Sequence, residues 1–448
     1  MNKFLFVTLC GLIIYAPLPL GANRIWASSS IEFLVFLIFL LHLIIAIKNK
    51  QSPLPPKYSL PVLLPLSVTL VWLQIQMLPG LGEFAGRMID GKGHSTLSFD
   101  PSLTHIMFLK TLAFTLYAWM LFYHVNTKQR LYRFSITIIV SGLIQAIYAI
   151  WLNLNEGMAS PIFSMPYAPR AQGSFVYPNQ LANYLALCLS IGIGILMSQL
   201  SLYSSGGRLR HKLRDLAQNI LSPKIIIRLG LIIMVIGLIL TRSRMGNSAF
   251  FIALAVIGLF AFFFYNRKPK HQRALIISFF IVDLVLIGSV FGIEKVKQRL
   301  VETTFQSETR DEVVRDSIPI IADYPFAGTG GGSFYSTFPR YHPEPYPGFY
   351  DHAHNDYIQF AVELGLPASL MLGVMVLYCL FICLKTMRKR KTPLYQGLSF
   401  GCAVAIVHML LHSTVDFSLQ SPAVALLFIG ILSISIMATK LTPDRRQR

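Results

Sequence analysis

Two histidines lie close together in the stretch YDHAHNDYIQF, residues 350–360, just before a long apolar run. His352 and His354 are surrounded by carboxylate and amide side chains, including Asn355 and Asp356. An imidazole has an unperturbed pKa near 6.5 and can therefore accept a proton at neutral pH. At the N-terminal end of a helix the macrodipole favours its neutral form. The stretch is either a solvated loop or a site of proton transfer, and the rest of the sequence has to distinguish the two.

Other roles are open for the same residues. His352, His354 and Asp356 offer a His-x-His pair and a nearby carboxylate to a metal ion, but no further ligand follows them. Asn355 or Asp356 is expected to cap the helix that begins here. Such a cap is compatible with catalysis by a neighbouring histidine. His352 taken alone is typical of a loop histidine.

Three arginines stand at the ends of apolar runs. Arg170 comes a few residues before one run, and Arg242 and Arg244 lie in LTRSRMGNS, a short connection between two others. A guanidinium group can hold phosphate oxygens in a bidentate fashion. For Arg242 an interaction with lipid headgroups is equally open, whereas the small residues after Arg244 favour close helix contact. Arg170 and Arg244 therefore suggest a clamp for a diphosphate at a membrane boundary.

The elements that must position these side chains are membrane-spanning helices. The chain has 448 residues, of which 54% are hydrophobic and 13% charged, and its mean hydropathy is +0.56. These values are typical of an all-α polytopic membrane protein and exclude a soluble globular chain. We predict about twelve spans, near residues 4–20, 31–47, 59–79, 104–124, 134–153, 181–203, 225–241, 249–265, 274–293, 358–384, 398–412 and 421–439. The first is expected to be an uncleaved helix rather than a signal peptide.

The net charge of +19 follows a topological pattern. Most Lys and Arg residues fall in alternate connections, such as 48–50, 127–133, 204–228, 266–273 and 387–391, and in the basic tail 440–448. By the positive-inside rule these segments face the cytoplasm, which places both termini inside. This distribution argues against nucleic acid as a partner. The predicted organisation is helices 1–9 over residues 1–293, a large periplasmic loop over 294–357, and helices 10–12 over 358–439.

Three connections on the outer side are too rich to be simple turns: 80–103, 154–180 and 294–357. The first has glycines and mixed charges and is predicted to be a flexible surface loop. The third contains GTGGGSF and many aromatic residues, Tyr335 among them, too many for a disordered segment. Aromatic residues form interfacial belts but also bind sugar rings, and no complete nucleotide-binding glycine motif is present. Near the eleventh run, His408, His412 and Asp416 favour a hydrogen-bond network between helices over a functional site.

The residues from about Arg170 to Asp416 resemble the O-antigen ligase and polymerase group of bacterial envelope glycosyltransferases. Ligases of this group share a His followed by Asn, Ser or Gln, then nine residues, then Gly; here His354-Asn355 is followed by DYIQFAVEL and Gly365. The match departs at Pro367, Ala368 and Ser369, where ligases tend to have a second Gly and a Thr. The segments PFAGTGGGSFYSTFPRY, which includes Tyr335 and Arg340, RAQGSFVYPNQLANYL and TRSRMG also resemble segments of the group, although a Met precedes the Gly in the last.

The resemblance implies a metal-independent inverting glycosyltransferase of the multi-span GT-C type in the bacterial inner membrane, with its active site on the periplasmic face and no cofactor. The donor would be a glycan linked to undecaprenyl diphosphate. Arg170 and Arg244 would stabilise the diphosphate leaving group, and His354 would be the base for the acceptor hydroxyl. Arg242, His352, Asn355, Asp356, Tyr335 and Arg340 are the supporting candidates.

Two questions of class remain open at this stage. The acceptor would be lipid A-core sugar for a ligase, a lipid-linked glycan for a polymerase, or a protein hydroxyl for a protein glycosylase, which the short tail disfavours. A transporter or flippase of lipid-linked glycans also fits twelve spans with both termini inside. Transporters concentrate polar residues in mid-membrane, whereas here they concentrate in the outer connections, which favours chemistry at the surface.

Overall fold

A computed structural model describes residues 2–89, 91–200, 223–265, 304–342 and 350–442. Within these ranges the chain is helical, apart from an antiparallel pair of two-residue strands, β1 Met88–Ile89 and β2 Lys92–Gly93. The helices are α1 Asn2–Tyr15, α2 Ile25–Lys48, α3 Leu60–Gln76, α4 Leu81–Phe84, α5 Pro101–His124, α6 Lys128–Leu154, α7 Pro178–Leu200, α8 Pro223–Leu240, α9 Arg244–Phe264, α10 Thr304–Asp323, α11 Phe334–Thr337, α12 Asp356–Leu364, α13 Leu366–Lys389, α14 Pro393–His412 and α15 Pro422–Lys440.

Within the described part of the chain, nine helices are long and apolar enough to cross a membrane: α2, α3, α5, α6, α7, α9, α13, α14 and α15. Two shorter apolar helices, α1 and α8, coincide with the first and seventh predicted spans. The predicted ninth span, 274–293, lies outside the described residues, as do most of the basic segments 204–228 and 266–273. The protein is thus an all-helical multi-pass membrane protein, and the total of twelve spans stays a prediction.

Three helices form the centre of the bundle. The apolar window of α7 is 100% buried, and those of α15 and α14 are 94% and 83% buried, whereas that of α13 is 22% buried. α7 and α14 approach closely because glycines face each other: a Cβ added to Gly194 would lie 2.4 Å from the carbonyl oxygen of Gly397. Small residues permit this backbone contact in the way that is common between membrane helices. This contact holds the C-terminal part of α7 against the N-terminal part of α14.

The predicted tenth span, 358–384, is wrong as a single helix. The chain forms α12, ends it at Gly365 and begins α13 at Leu366. Gly365 has a positive φ of +80°, and a Cβ there would lie 2.3 Å from the carbonyl oxygen of Phe326, so glycine is required. Pro367, at the second position of α13, is compatible with a helix start but not with a helix interior. The break separates a short amphipathic helix, α12, from the spanning helix α13.

Candidate active site

The two histidines lie in a turn, residues Asp351–Asn355, which we call the histidine turn. The side chain of Asn355 caps α12: its Oδ1 accepts hydrogen bonds from the backbone N–H groups of Tyr357 at 3.0 Å and Ile358 at 3.2 Å. Its Nδ2 donates to the carbonyl oxygen of Thr414 at 2.9 Å. The predicted capping role of Asn355 is therefore confirmed. His354 itself has a φ of 51°, in the left-handed region that is uncommon for residues other than glycine, although histidine adopts it more often than most.

Both histidines pack on one phenyl ring, that of Phe417. His352 stacks on it with 4.5 Å between ring centroids, and His354 meets it edge-on at 4.7 Å. Tyr350 contacts His354 from another direction, with centroids 5.7 Å apart. Phe417 is only 4% exposed and lies in the loop 413–419 between α14 and α15. The sequence analysis missed Phe417, because nothing in the local pattern places a residue after α14 against the histidine turn.

The environment of the histidine turn favours a neutral imidazole at His352. Burial lowers the pKa of His352, and the nearby Asp351 carboxylate offsets only part of this effect. The two groups lie 3.9 Å apart, from His352 Nε2 to Asp351 Oδ2. Since a neutral ring can accept a proton, the turn has the chemical capacity of a general base.

Asp356 joins α12 to the loop 413–419. Its carboxylate is buried and accepts hydrogen bonds from Ser413 Oγ at 2.9 Å and from the backbone N–H of Leu419 at 3.3 Å. Its own N–H donates to the carbonyl oxygens of Ser413 and Asp416 at 3.0 and 3.2 Å. Burial raises the pKa of Asp356 to about 8. Asp356 thus fixes the loop that carries Phe417.

In the described part of the chain, no group of three His, Cys, Asp or Glu side chains is arranged to hold a metal ion.

The polar residues at the outer end of α14 form an interhelical network, as predicted. Asn183 on α7 lies between two histidines: its Oδ1 is 3.2 Å from His408 Nε2, and its Nδ2 is 3.3 Å from His412 Nδ1. His412 Nε2 is 3.8 Å from Asp416 Oδ2. The network connects α7 to the loop 413–419 below the histidine turn.

The arginines form a second cluster. Arg170 donates from Nε to the carbonyl oxygen of Thr241 at 2.9 Å and from Nη2 to Asn179 Oδ1 at 2.6 Å. Thr241 begins the turn 241–244, which we call the arginine turn and which presents Arg242 and Arg244 as exposed residues. Ser243 caps α9 through a bond from the N–H of Gly246 at 3.2 Å. The structure therefore brings the predicted clamp residues Arg170 and Arg244 to one place, with Arg242 beside them.

The start of α7 connects the arginine cluster to the histidine turn. Asn179 accepts from Arg170, and Tyr177, two residues earlier, packs edge-on against Phe417 with 5.8 Å between ring centroids. Phe417 in turn contacts both histidines. The side chains predicted for diphosphate binding and for proton transfer thus lie at the same end of the bundle, on two sides of the α7 N-terminus.

The remaining two candidates, Tyr335 and Arg340, follow the glycines of GTGGGSF in the chain. Tyr335 is 49% exposed on α11. The guanidinium of Arg340 lies over the ring of Phe99, 5.9 Å from its centroid. Arg340 thus contacts the loop 80–103, and Tyr335 is exposed five residues before it.

The outer loops pack on each other more tightly than the sequence predicted. Arg87 in the loop 80–103 is 4% exposed, lies 4.1 Å from the ring centroid of Tyr324, and donates to the carbonyl oxygen of Gly328 at 2.5 Å. Ser98 in the same loop is fully buried. The prediction of a flexible surface loop is therefore wrong for Arg87 and residues 96–98, whereas residues 83–86 are exposed at the surface.

This packing explains the glycine run, residues 328–332. A Cβ on Gly330 would lie 2.2 Å from Ser98 Oγ, and one on Gly328 would lie 2.4 Å from the carbonyl oxygen of Glu363. Gln76 at the end of α3 donates to the carbonyl oxygens of Ala327 and Glu363 at 2.7 and 2.9 Å. The glycines are needed because backbone and side chains of three segments meet here, which accounts for them without a nucleotide.

Comparison with known proteins agrees with the predicted resemblance. The family model described as O-antigen ligase matches residues 229–373 of the chain. The matched range contains the arginine turn, the glycine run, the histidine turn and Gly365, but neither Arg170 nor the loop 413–419. No curated protein matches the chain. The match supports an O-antigen ligase/polymerase-like family.

Proposed function

We propose that this multi-pass membrane protein of an O-antigen ligase/polymerase-like family is an inner-membrane glycosyltransferase. It transfers a glycan from undecaprenyl diphosphate to an acceptor hydroxyl on the periplasmic face, as a ligase or polymerase of surface polysaccharide. One observation carries the proposal: the arginine cluster and the histidine turn lie on two sides of the α7 N-terminus, joined through Asn179, Tyr177 and Phe417. A reaction that expels a diphosphate and consumes a hydroxyl proton needs these two kinds of group near each other.

The chemistry follows from the two clusters. The acceptor oxygen attacks the anomeric carbon while the bond from that carbon to the diphosphate oxygen breaks, and the electron pair goes to the diphosphate. Arg170 and Arg244, with Arg242 beside them, stabilise the negative charge that develops there. The imidazole of His354 takes the proton of the acceptor hydroxyl. Attack opposite to the leaving group inverts the anomeric configuration, as in a GT-C enzyme, and the arginines supply the positive charge without a metal.

His354 is chosen over His352 by its surroundings. His354 directly precedes Asn355, whose side chain caps α12 and also bonds the loop 413–419 at Thr414. His352 is two residues further from this anchor and stacks flat on Phe417. We assign to His352, Asn355 and Asp356 the support of the turn, and to Tyr335 and Arg340 contact with the glycan.

The domain organisation follows from the same proposal. Residues 294–357 form the periplasmic loop that completes the site, the helices before and after it form the membrane domain, and residues 440–448 are a cytoplasmic tail. The acceptor is either lipid A-core sugar or a second lipid-linked glycan.

The test is a transfer assay with the purified full-length protein in lipid nanodiscs, using an undecaprenyl-diphosphate-linked glycan as donor and each acceptor in turn. We expect transfer by the wild type and a loss of roughly 10²–10⁴-fold in kcat for His354→Gln, since glutamine keeps hydrogen bonding but not basicity. Donor binding should stay unchanged. Wild-type transfer by His354→Gln, or inactivity confined to His352→Gln, would contradict the assignment of the base.

A further inference from the structure

The backbone of the histidine turn is bonded to a buried carboxyl group through one intermediate side chain. The N–H of Ala353 donates to Gln359 Oε1 at 2.8 Å, and Gln359 Nε2 donates to Glu363 Oε1 at 2.6 Å. Ala353 is fully buried, and Gln359 and Glu363 are each 1% exposed. Gln359 and Glu363 are four residues apart on α12 and therefore face the same side of the helix. Ala353 stands between the two histidines, so the bonds end at the centre of the turn.

The chemistry of these groups gives the two bonds a direction. An ionised carboxylate can only accept hydrogen bonds, whereas a glutamine amide has one end that donates and one that accepts. The carboxylate of Glu363 therefore obliges Gln359 to present its NH₂ group to it. The carbonyl oxygen of Gln359 then faces Ala353, where an acceptor is needed. Turning the amide by half a rotation would put two donors against each other at Ala353.

Glu363 is itself fixed in place. Its carbonyl oxygen accepts from the N–H of Gly330 at 3.0 Å and from Gln76 Nε2 at 2.9 Å, which attaches this end of α12 to the glycine run and to α3. Burial raises the pKa of Glu363 to about 7, while hydrogen bonds from the backbone of Gly332 and Phe334 and, to a smaller extent, the half-buried Lys110 on α5 favour the ionised form. These contacts hold Glu363 in place, so its carboxyl group anchors the amide of Gln359.

The turn requires such support because of His354. Its φ of 51° lies in the left-handed region, which persists for a residue of this kind only when its neighbours are held. On one side Ala353 is held by Gln359; on the other the N–H of Asp356 is held by Ser413 and Asp416. Releasing the first anchor frees the backbone before His354 and changes the direction of the imidazole.

We propose that Glu363 is a positioning residue, which acts through Gln359 to set the backbone of the histidine turn and thereby the direction of the His354 imidazole. The proposal rests on the proposed function, in which His354 is the base. Glu363 touches neither donor nor acceptor. Its contribution is to the geometry of proton transfer, where a displacement of about 1 Å can cost up to roughly 100-fold in rate.

The test exchanges the two side chains. In Glu363→Gln the partner of Gln359 is neutral and can donate as well as accept, so its bond to Gln359 is weaker and only the N–H of Ala353 still specifies the orientation of the amide. In Gln359→Glu two carboxylates face each other at the distance of a hydrogen bond. The double variant Gln359→Glu/Glu363→Gln restores one carboxylate, which accepts both from Ala353 and from the amide at position 363. The exposed Glu83, changed to Gln, is the matched control.

We expect kcat to fall at least roughly tenfold in each single variant, with an unchanged KM for the donor and no change for Glu83→Gln. The double variant should recover most of the wild-type kcat, which a loss of packing would not predict. Wild-type kcat in Glu363→Gln would overturn the proposal. Equal losses in both single variants and the double variant, in step with lower thermal stability or lost folding, would assign the bonds to stability alone and also overturn it.

The same assay separates this inference from the proposed function. If His354→Gln transfers glycan at the wild-type rate, the proposed function of His354 fails whatever Glu363 does. If His354→Gln is inactive and Glu363→Gln is fully active, the base assignment stands and the positioning role of Glu363 fails.

Discussion

The phenyl ring of Phe417 meets the imidazole of His354 edge-on, with 4.7 Å between the ring centroids and 88° between the ring planes. An edge-to-face contact restricts how far either ring can rotate and is worth about 0.5–1.5 kcal/mol beyond burial. Because His352 lies on the same ring, the position of Phe417 determines the position of both imidazoles. The Phe417 ring also packs against Tyr177 at the start of α7, so a shift of the α7 N-terminus would move the same ring.

We therefore expect Phe417→Leu to lower kcat for glycan transfer by more than its loss of stability explains. Leucine keeps an apolar side chain at a buried position but removes the ring on which both histidines pack. We expect kcat per folded protein to fall by roughly tenfold, as for a displaced catalytic group. Phe400→Leu is the control, because Phe400 is 1% exposed on α14 and its loss costs packing alone. Equal kcat in the two variants would show that the Phe417 ring does not position the base.

The two clamp arginines allow structural and electrostatic roles to be tested separately. Arg170 makes two hydrogen bonds to the protein, to Thr241 and Asn179, so Arg170→Lys disturbs contacts within the fold as well as the phosphate-binding group. Arg244 is exposed at the start of α9 and is the sharper probe. Arg244→Lys keeps the charge but loses the planar fork that binds two phosphate oxygens.

We expect Arg244→Lys to raise the KM for the donor and to lower kcat, by roughly tenfold or more in kcat/KM, with normal membrane insertion. Arg133 is exposed near the N-terminus of α6, and Arg133→Lys should match the wild type. Full activity of both Arg170→Lys and Arg244→Lys would reduce these residues to generic positive charges.

The parts of the site that sequence could predict are those whose signal is local. The cap at Asn355 depends on residues within one turn of helix, and the arginine turn stands out as charge between apolar runs. The contact of Phe417 with the histidine turn crosses more than sixty residues, and no periodicity encodes it. The helix break at Gly365 was missed because the apolar run continues across it, although Pro367 does not fit a helix interior. The close approach of the Phe326 carbonyl oxygen shows why the chain must break there.

The glycine run illustrates the same limit. Its sequence lacks a complete nucleotide-binding motif but does not show why the glycines are there. That reason is the approach of Ser98, Gln76 and Glu363 from three separate segments. Sequence patterns thus located the candidate segments, while the contacts that hold them together are tertiary.

The proposed membrane topology can be tested directly with reporter fusions. Because basic residues collect in alternate connections, fusions after Lys50, Arg130 and Lys389 should report the cytoplasm. A fusion near Ser333, beside the glycine run, should report the periplasm. A cytoplasmic signal at Ser333 would separate the site from a periplasmic donor and would contradict the proposed function.

The buried carboxyl of Asp356 should make stability depend on pH in a defined direction. Burial raises its pKa to about 8, whereas an aspartate in an unfolded chain titrates near 3.9. Between these values the folded protein keeps a proton that the unfolded chain releases, so the free energy of unfolding falls as pH rises from about 4 to about 8. Below this window both states are protonated, and above it both are ionised, so the contribution is constant on either side.

Asp356→Asn removes this titration while keeping an oxygen that can accept from Ser413 and Leu419. The variant should therefore gain thermal stability relative to the wild type as pH rises from 5 to 8, by a few degrees in Tm. Comparing the two proteins at each pH cancels the titration of other groups, although Asp416 is a close neighbour whose charge contributes to the shift. Asp311→Asn is the control, since that side chain is exposed on α10. A Tm difference between Asp356→Asn and the wild type that is the same at pH 5 and pH 8 would show that Asp356 does not retain its proton in the folded protein.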